Sequence, residues 1–173
     1  MDTLQIKSIL TRLLRKTAQI AVIPSDGLDI YRIKKYPVCL CVNNQPGSMP
    51  GEHWLGIYIQ KPNDKMYFFC SYGLGMSFYA VNFKQFARRM KLSVVQNKVC
   101  LQDLNSDVCG LYVIHFLYKM MKGCCLMSVY CTFSNNKLRN DNIVRRYNKF
   151  LLSKSKYKSF TNQSCCKFKH VIK

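Results

Sequence analysis

Between residues 4 and 18, Ile6, Ile9, Leu10, Leu13 and Leu14 share one stripe, while Lys7, Arg12, Arg15 and Lys16 lie largely off it. That spacing predicts an amphipathic helix, capped at Asp2 and packed on the body of the protein. The pattern breaks at Ser25-Asp-Gly-Leu-Asp29, and Val38-Cys-Leu-Cys-Val42 then forms a continuous apolar run of the kind a buried strand carries. Asn43 to Pro50, rich in Pro, Gly and Ser, reads as a loop. A hairpin follows: Trp54-Leu-Gly-Ile-Tyr-Ile59, a turn at Lys61-Pro-Asn-Asp-Lys65, and Met66-Tyr-Phe-Phe-Cys70 returning. His53 opens the first of these strands and Cys70 closes its antiparallel neighbour, so pairing puts both at one end of the sheet.

Helical spacing returns over Val81 to Met90, and a short strand is expected over Val94 to Leu101. From Cys109 to Met121 the chain is apolar on more than one face, which predicts a helix buried in the centre of the domain with Cys109 in its first turn. Asn140-Asp141-Asn142 is placed to cap a helix running through Ile143, Val144, Tyr147, Phe150 and Leu151. After Ser153 the residues are Lys, Ser and aromatics without period, a composition that suits a disordered tail.

Length and composition fit one domain over 1–152 and a basic tail over 153–173: the chain has 173 residues, 49% apolar, enough for a real core. The net charge is +19, and from Lys137 onward eleven Lys or Arg face Asp141 alone. Such an excess attracts nucleic acid or acidic surfaces through counterion release; a solubilising tail is the plainer alternative. Lys7, Arg12, Arg15 and Lys16 interrupt any apolar leader, and no apolar stretch approaches the roughly 18 residues of a membrane span. A reducing compartment is therefore expected, with the ten cysteines as thiols. Cys39-x-Cys41, Cys124-Cys125 and Cys165-Cys166 lack the ligand gaps of zinc modules, so no structural metal is expected.

Candidate chemistry sits in two strings, Gly51-Glu-His53-Trp54 and Gln102-Asp-Leu-Asn-Ser-Asp-Val-Cys109-Gly110. The thiolate is the nucleophilic form of cysteine, and its pKa falls beside a helix N-terminus or an imidazolium. Cys109 has the first by its place in the chain, and His53 would supply the second. Acyl transfer also needs donors aimed at the oxygen that becomes negative. Gln102 offers a side-chain amide and Cys109 its backbone N–H. Taken singly, a buried Cys is inert core, a Gln is surface and a His beside Trp is a packed strand end; their combination is what points to catalysis. His115, six residues past Cys109 and nearly opposite it on the helix, reads as packing or surface.

These strings also carry a resemblance. Pro37-Val-Cys-Leu-Cys-Val-Asn-Asn44 looks like the strand ahead of the histidine loop in the adenovirus endopeptidase (adenain) family, and Pro50-Gly-Glu-His-Trp54 is similar to its Gly-x-His-Trp. Phe69-Cys-Ser-Tyr-Gly73 resembles its aromatic, acid, small, aromatic, Gly segment, and Gln102 to Gly110 its Gln-x-x-Asn-Ser-x-x-Cys-Gly string. Thr132-Phe-Ser134 with Asn140-Asp141-Asn142-Ile-Val144 resembles a tail element of the members in Polinton or Maverick elements and related DNA viruses. The similarity covers about residues 4 to 150, and extends more distantly to proteases of ubiquitin-like modifiers. It implies an α+β fold in which a central buried helix bearing Cys109 packs on a mainly antiparallel sheet bearing His53. It further implies Cys109 as nucleophile, His53 as proton partner, Gln102 and the Cys109 N–H as oxyanion hole, and Trp54 packed beside the histidine. Virion or capsid precursors would be the substrates, in a host nucleus or virion. No cofactor is required, although DNA and a peptide are activators by resemblance.

One position departs from the family: where Asp or Glu stands seventeen residues after the histidine, this chain has Cys70. A thiol cannot stabilise an imidazolium as a carboxylate does, although papain-like enzymes orient theirs with a neutral Asn. Three outcomes stay open: a His–Cys dyad without an acid, substitution by Ser71 or a carboxylate such as Asp64, or a degenerate copy that has kept only the fold. The competing readings are a protease of ubiquitin-like modifiers and a catalytically silent nucleic-acid-binding protein.

Overall fold

The computed structural model describes residues 1–154. Helix α1 (Thr3–Leu14) begins at a capping box in which Asp2 Oδ1 accepts the Gln5 N–H at 2.8 Å and Gln5 Oε1 accepts the Asp2 N–H at 3.2 Å. Its stripe buries Ile6, Leu10 and Leu14. The chain then makes strand β1 (Gln19–Ile23) and a single turn α2 (Gly27–Ile30), neither of which the apolar pattern had announced. Strands β2 (Val38–Asn43), β3 (Trp54–Ile59) and β4 (Lys65–Phe69) follow, then a 3₁₀ turn at Met76–Phe78, helix α3 (Val81–Arg89) and strand β5 (Ser93–Gln96). Helices α4 (Cys109–Met121), α5 (Leu126–Tyr130) and α6 (Lys137–Lys154) complete the order.

The fold is α+β, and its sheet runs β1-β2-β3-β4-β5 in sequence order. The sheet is mixed, which corrects the expectation of a mainly antiparallel one. The central pairings β2–β3 and β3–β4 are antiparallel, and both outer pairings, β1–β2 and β4–β5, are parallel. Parallel neighbours need a crossover connection. Here α2 lies between β1 and β2, and α3 between β4 and β5.

Each central strand is buried on both faces, so side chains alternate between two cores. Cys39, Cys41, Trp54, Tyr58 and Phe69 join α1 and α4 on one side. Leu40, Leu55, Ile57, Phe68 and Cys70 join Leu28 of α2 and Phe83 and Phe86 of α3 on the other. Helix α4 approaches most closely at Gly56, where a Cβ would stand 2.7 Å from Phe116 Cδ1. The Phe116 ring occupies that gap and stacks on Phe69 at 4.8 Å between centroids.

Helix α6 begins at Lys137, three residues before the expected cap. Asn136 does the capping, since its Oδ1 accepts the Arg139 N–H at 2.9 Å, and this frees Asn140 to turn inward, where it is fully buried. The helix also runs through Lys154, past the expected domain boundary at residue 152. The rest of the predicted tail, from residue 155, lies outside the described residues. Cys39, Cys41, Cys70, Cys100, Cys109 and Cys131 are free thiols, whereas Cys124 is disulfide-bonded, at variance with the expectation of thiols throughout. Among the described residues no helix is long and apolar enough to cross a membrane.

His115 is fully buried with both ring nitrogens unpartnered, its ring 4.5 Å from Tyr147 and 5.3 Å from Phe133. Burial, and then Lys119, lower its pKa to about 3. The unfolded chain takes up this proton near the ordinary value of 6.5 and the folded chain does not, so acidification below that value favours unfolding. The stabilisation is complete above pH ~6.5 and is lost progressively as pH falls toward 3, at up to about 1.4 kcal/mol per pH unit. Denaturant titrations at pH 7 and pH 5 are expected to show His115→Leu losing about 2 kcal/mol less than wild type over that interval. Equal losses would place the acid sensitivity elsewhere.

Candidate active site

His53 immediately precedes β3, and Asn44 pins its backbone twice: the Asn44 N–H donates to His53 O and the His53 N–H to Asn44 Oδ1, both at 2.9 Å. Cys70 immediately follows β4, beyond the last β4–β5 pair. Asn97 supplies the strand partner that Cys70 lacks, its Oδ1 accepting the Cys70 N–H at 2.9 Å and its Nδ2 donating to Cys70 O at 2.7 Å. Gly73, at φ +72°, then lets the chain turn within a distance of Val99 and Cys100 that a Cβ would not allow.

The hairpin thus brings His53 and Cys70 together at one end of the sheet, with His53 Nε2 3.5 Å from Cys70 Sγ. The Tyr79 hydroxyl lies 2.9 Å from the same sulfur. Tyr72 stacks on the His53 ring with centroids 4.8 Å apart, and Tyr79 lies nearly parallel to it at 6.3 Å. Trp54 takes a different place from the one the resemblance implied. It packs with the α4 core, 3.4 Å from where a Gly110 Cβ would stand, and its Nε1–H donates to Met1 O at 3.1 Å. Tyr72, not Trp54, covers the imidazole.

Gln102 is fully buried. Ser71 Oγ donates to its Oε1 at 2.7 Å, and its Nε2 donates to Ser106 O at 2.7 Å. A primary amide carries two N–H groups, so one is engaged by Ser106 and one is left for a further acceptor. The Ser71 hydroxyl is therefore directed at Gln102. Asp64 sits in the β3–β4 turn, at the opposite end of the hairpin from His53. Glu52 is next to His53 in sequence, but its exposed carboxylate accepts from Gln45 at 2.9 Å and Asn44 at 3.3 Å.

Cys109 is the first residue of α4 and only 9% exposed. The sequence suggested a thiol with a lowered pKa, and the balance runs the other way. Burial raises it, and the N–H groups of Trp54 and Gly110, the Met1 ammonium and its own N–H offset this only in part. Trp54 Cδ1 stands 3.4 Å from where a Gly110 Cβ would lie, so the first turn of α4 meets the start of β3, the residue after His53. Burial lowers the His53 pKa to about 4. Cys70 is raised by burial, against the Tyr79 hydroxyl and the N–H groups of Leu74, Tyr72 and Gly73. Burial thus pushes both thiols and the imidazole toward their neutral forms.

Asn44, Tyr72, Tyr79 and Asn97 carry no assigned role in the sequence. Asn44 and Tyr72 had a signal, since they lie in the Pro37–Asn44 and Phe69–Gly73 strings; Tyr79 and Asn97 act through side-chain placement that only the fold reveals. Among the described residues no group of three or more His, Cys, Asp or Glu is placed to hold a metal ion. Comparison with models of known protein families finds none that matches the chain, and comparison with curated proteins finds no match either.

A carboxylate at position 70 would favour the charged imidazole. Cys70→Asp is therefore expected to raise the His53 pKa from about 4 to above 6.5, read from the pH dependence of its ring proton resonances. A titration that stays near 4 would mean that the side chain at 70 does not govern the ring.

Proposed function

We propose that the chain is a cysteine endopeptidase in which Cys109 is the nucleophile, His53 the base and Gln102 an oxyanion donor. The observation that supports it best is Gln102: a buried amide whose oxygen is fixed by Ser71, leaving one N–H to give, seven residues before a cysteine that opens the central helix.

In this reading His53 takes the Cys109 proton as the sulfur attacks the scissile carbonyl. Cys70 engages Nε2, so Nδ1 is the ring nitrogen turned to this task. The carbonyl oxygen becomes an oxyanion and accepts from the Gln102 amide and the Cys109 N–H. Collapse expels the amine, which takes the proton back from His53, and leaves a thioester. Water, deprotonated by His53, hydrolyses it and regenerates the thiol. Gln102 is fully covered in the resting chain, so this reading requires the 103–107 turn, which holds its amide through Ser106, to move as substrate enters. The imidazolium formed in each half-reaction meets a thiol and the Tyr72 and Tyr79 rings where relatives by resemblance have a carboxylate, which makes a slow enzyme. Virion precursor proteins of a virus or virus-like transposon are the substrates that the resemblance favours.

Hydrolysis of a fluorogenic peptide library by wild type and Cys109→Ala tests this. Turnover is expected for wild type only, with kcat/KM rising through an acid limb near pH 4, because the base must be neutral and burial holds His53 there. Equal rates in the two chains would overturn the peptidase reading, and no turnover in either would favour the degenerate copy.

A nucleic-acid partner is favoured by a separate observation. Lys7, Arg12, Arg15, Lys16 and Lys122 line one cleft along α1, with no carboxylate among the described residues that line it. Such a surface suits a phosphate backbone. Replacing Lys7, Arg15, Lys16 and Lys122 by Gln should lower the slope of log affinity for DNA against log salt by about 0.9 for each phosphate contact removed. An unchanged slope would assign binding to another surface.

A further inference from the structure

We propose that the segment from Thr132 to Asp141 is a positioning element for the oxyanion donor, with Asn140 and Lys137 holding the peptide ahead of Gln102 from behind. This rests on the peptidase reading of Gln102. The Leu101 carbonyl accepts from Asn140 Nδ2 at 3.1 Å and from the Tyr112 hydroxyl at 3.2 Å. The Cys100 carbonyl accepts from Lys137 Nζ at 2.8 Å. On the other side of the same stretch, the N–H groups of Leu101 and Gln102 both donate to Ser71 O, at 2.8 and 3.2 Å.

Two consecutive peptides are thus gripped from both sides, and Gln102 follows them directly. Asn140 can serve because its own orientation is fixed. Its Oδ1 accepts the Ser134 N–H at 2.8 Å and the Ser134 hydroxyl at 3.3 Å, while its Nδ2 also donates to Ser134 O at 2.8 Å. A buried amide with both ends occupied has one rotamer and no flipped alternative. Phe133 locks the loop by packing against Tyr112 at 5.3 Å. Removing Asn140 leaves the Leu101 carbonyl to the Tyr112 hydroxyl alone, and removing Lys137 takes away the side-chain donor of the Cys100 carbonyl, so the two peptides are freer to rotate, which carries the Gln102 N–H off Ser71 and the side chain off its line.

Steady-state hydrolysis by the full chain carrying Asn140→Ala, Lys137→Met or Gln102→Ala, singly and in pairs, tests the coupling. Asn140→Ala should lower kcat about tenfold and Lys137→Met about threefold, with KM within about twofold, since only transition-state stabilisation is lost. In the Gln102→Ala background neither should lower kcat further. Additive losses, or losses confined to KM, would overturn the proposal. Lys137 is at the start of α6 and only partly buried, so Lys137→Met keeps the cycle readable if Asn140→Ala does not fold, and Lys137→Arg should restore kcat. Amide hydrogen exchange asks the same question without turnover: Lys137→Met or Asn140→Ala should speed exchange at Leu101 and Gln102 about tenfold relative to α4. Unchanged exchange overturns the proposal, whereas a wild-type chain that hydrolyses no peptide overturns the peptidase reading, so the two failures are told apart.

Discussion

The contact on which the rest depends is that of α4 with β3 at Gly56. A side chain there would meet Phe116 at 2.7 Å, so the helix settles onto the sheet only because this strand position is bare. Overpacking of such a site costs about 1–3 kcal/mol. With Phe116 seated between Gly56 and Phe69, the axis of α4 is fixed along β3, and its first residue arrives at the end of the sheet where β3 begins. The arrival of the start of α4 beside Trp54 is a consequence of packing at Gly56, distant from Cys109 in sequence, not of any local preference around Cys109.

Burial without charge sets the character of the site. The buried groups of the site are pushed toward their neutral forms: the imidazole down to about 4, the Cys70 and Cys109 thiols up. A carboxylate would oppose this by making the imidazolium cheaper to form, and Cys70 does not. The compensating interactions are geometric. Tyr72 and Tyr79 hold the ring flat, Asn97 completes the backbone pairing of Cys70, and Asn44 fixes the turn into β3. They restrict where the imidazole stands without altering how readily it takes a proton.

Much of this was legible in the residues. Cys109 to Met121 is apolar all round and is the central helix to the residue, and the Asp2 cap and the β3–β4 hairpin follow from local chemistry. The hairpin register also carried His53 to Cys70. What was not legible depends on contacts distant in sequence. Strand β1 is an edge of half-buried residues after a helix, with no alternation to announce it. The parallel outer pairings depend on which way the α2 and α3 crossovers turn. Asn140 reads as a helix cap until the fold shows that Asn136 has taken that role and that the Asn140 amide faces Leu101. The protonation states are hidden for a related reason: helix position is written in the sequence, whereas burial deep enough to outweigh it is not.

The same grip on the Leu101 peptide orders events in time. The sheet, Cys109 and His53 are all encoded before residue 122, but the donors that seize the Cys100 and Leu101 carbonyls from α6 are Lys137 and Asn140. A chain emerging from the ribosome in which these residues are still inside the exit tunnel has Cys109 and His53 but an unanchored segment ahead of Gln102. On the peptidase reading, the nascent polypeptide stays latent until the helix that carries Lys137 and Asn140 has formed.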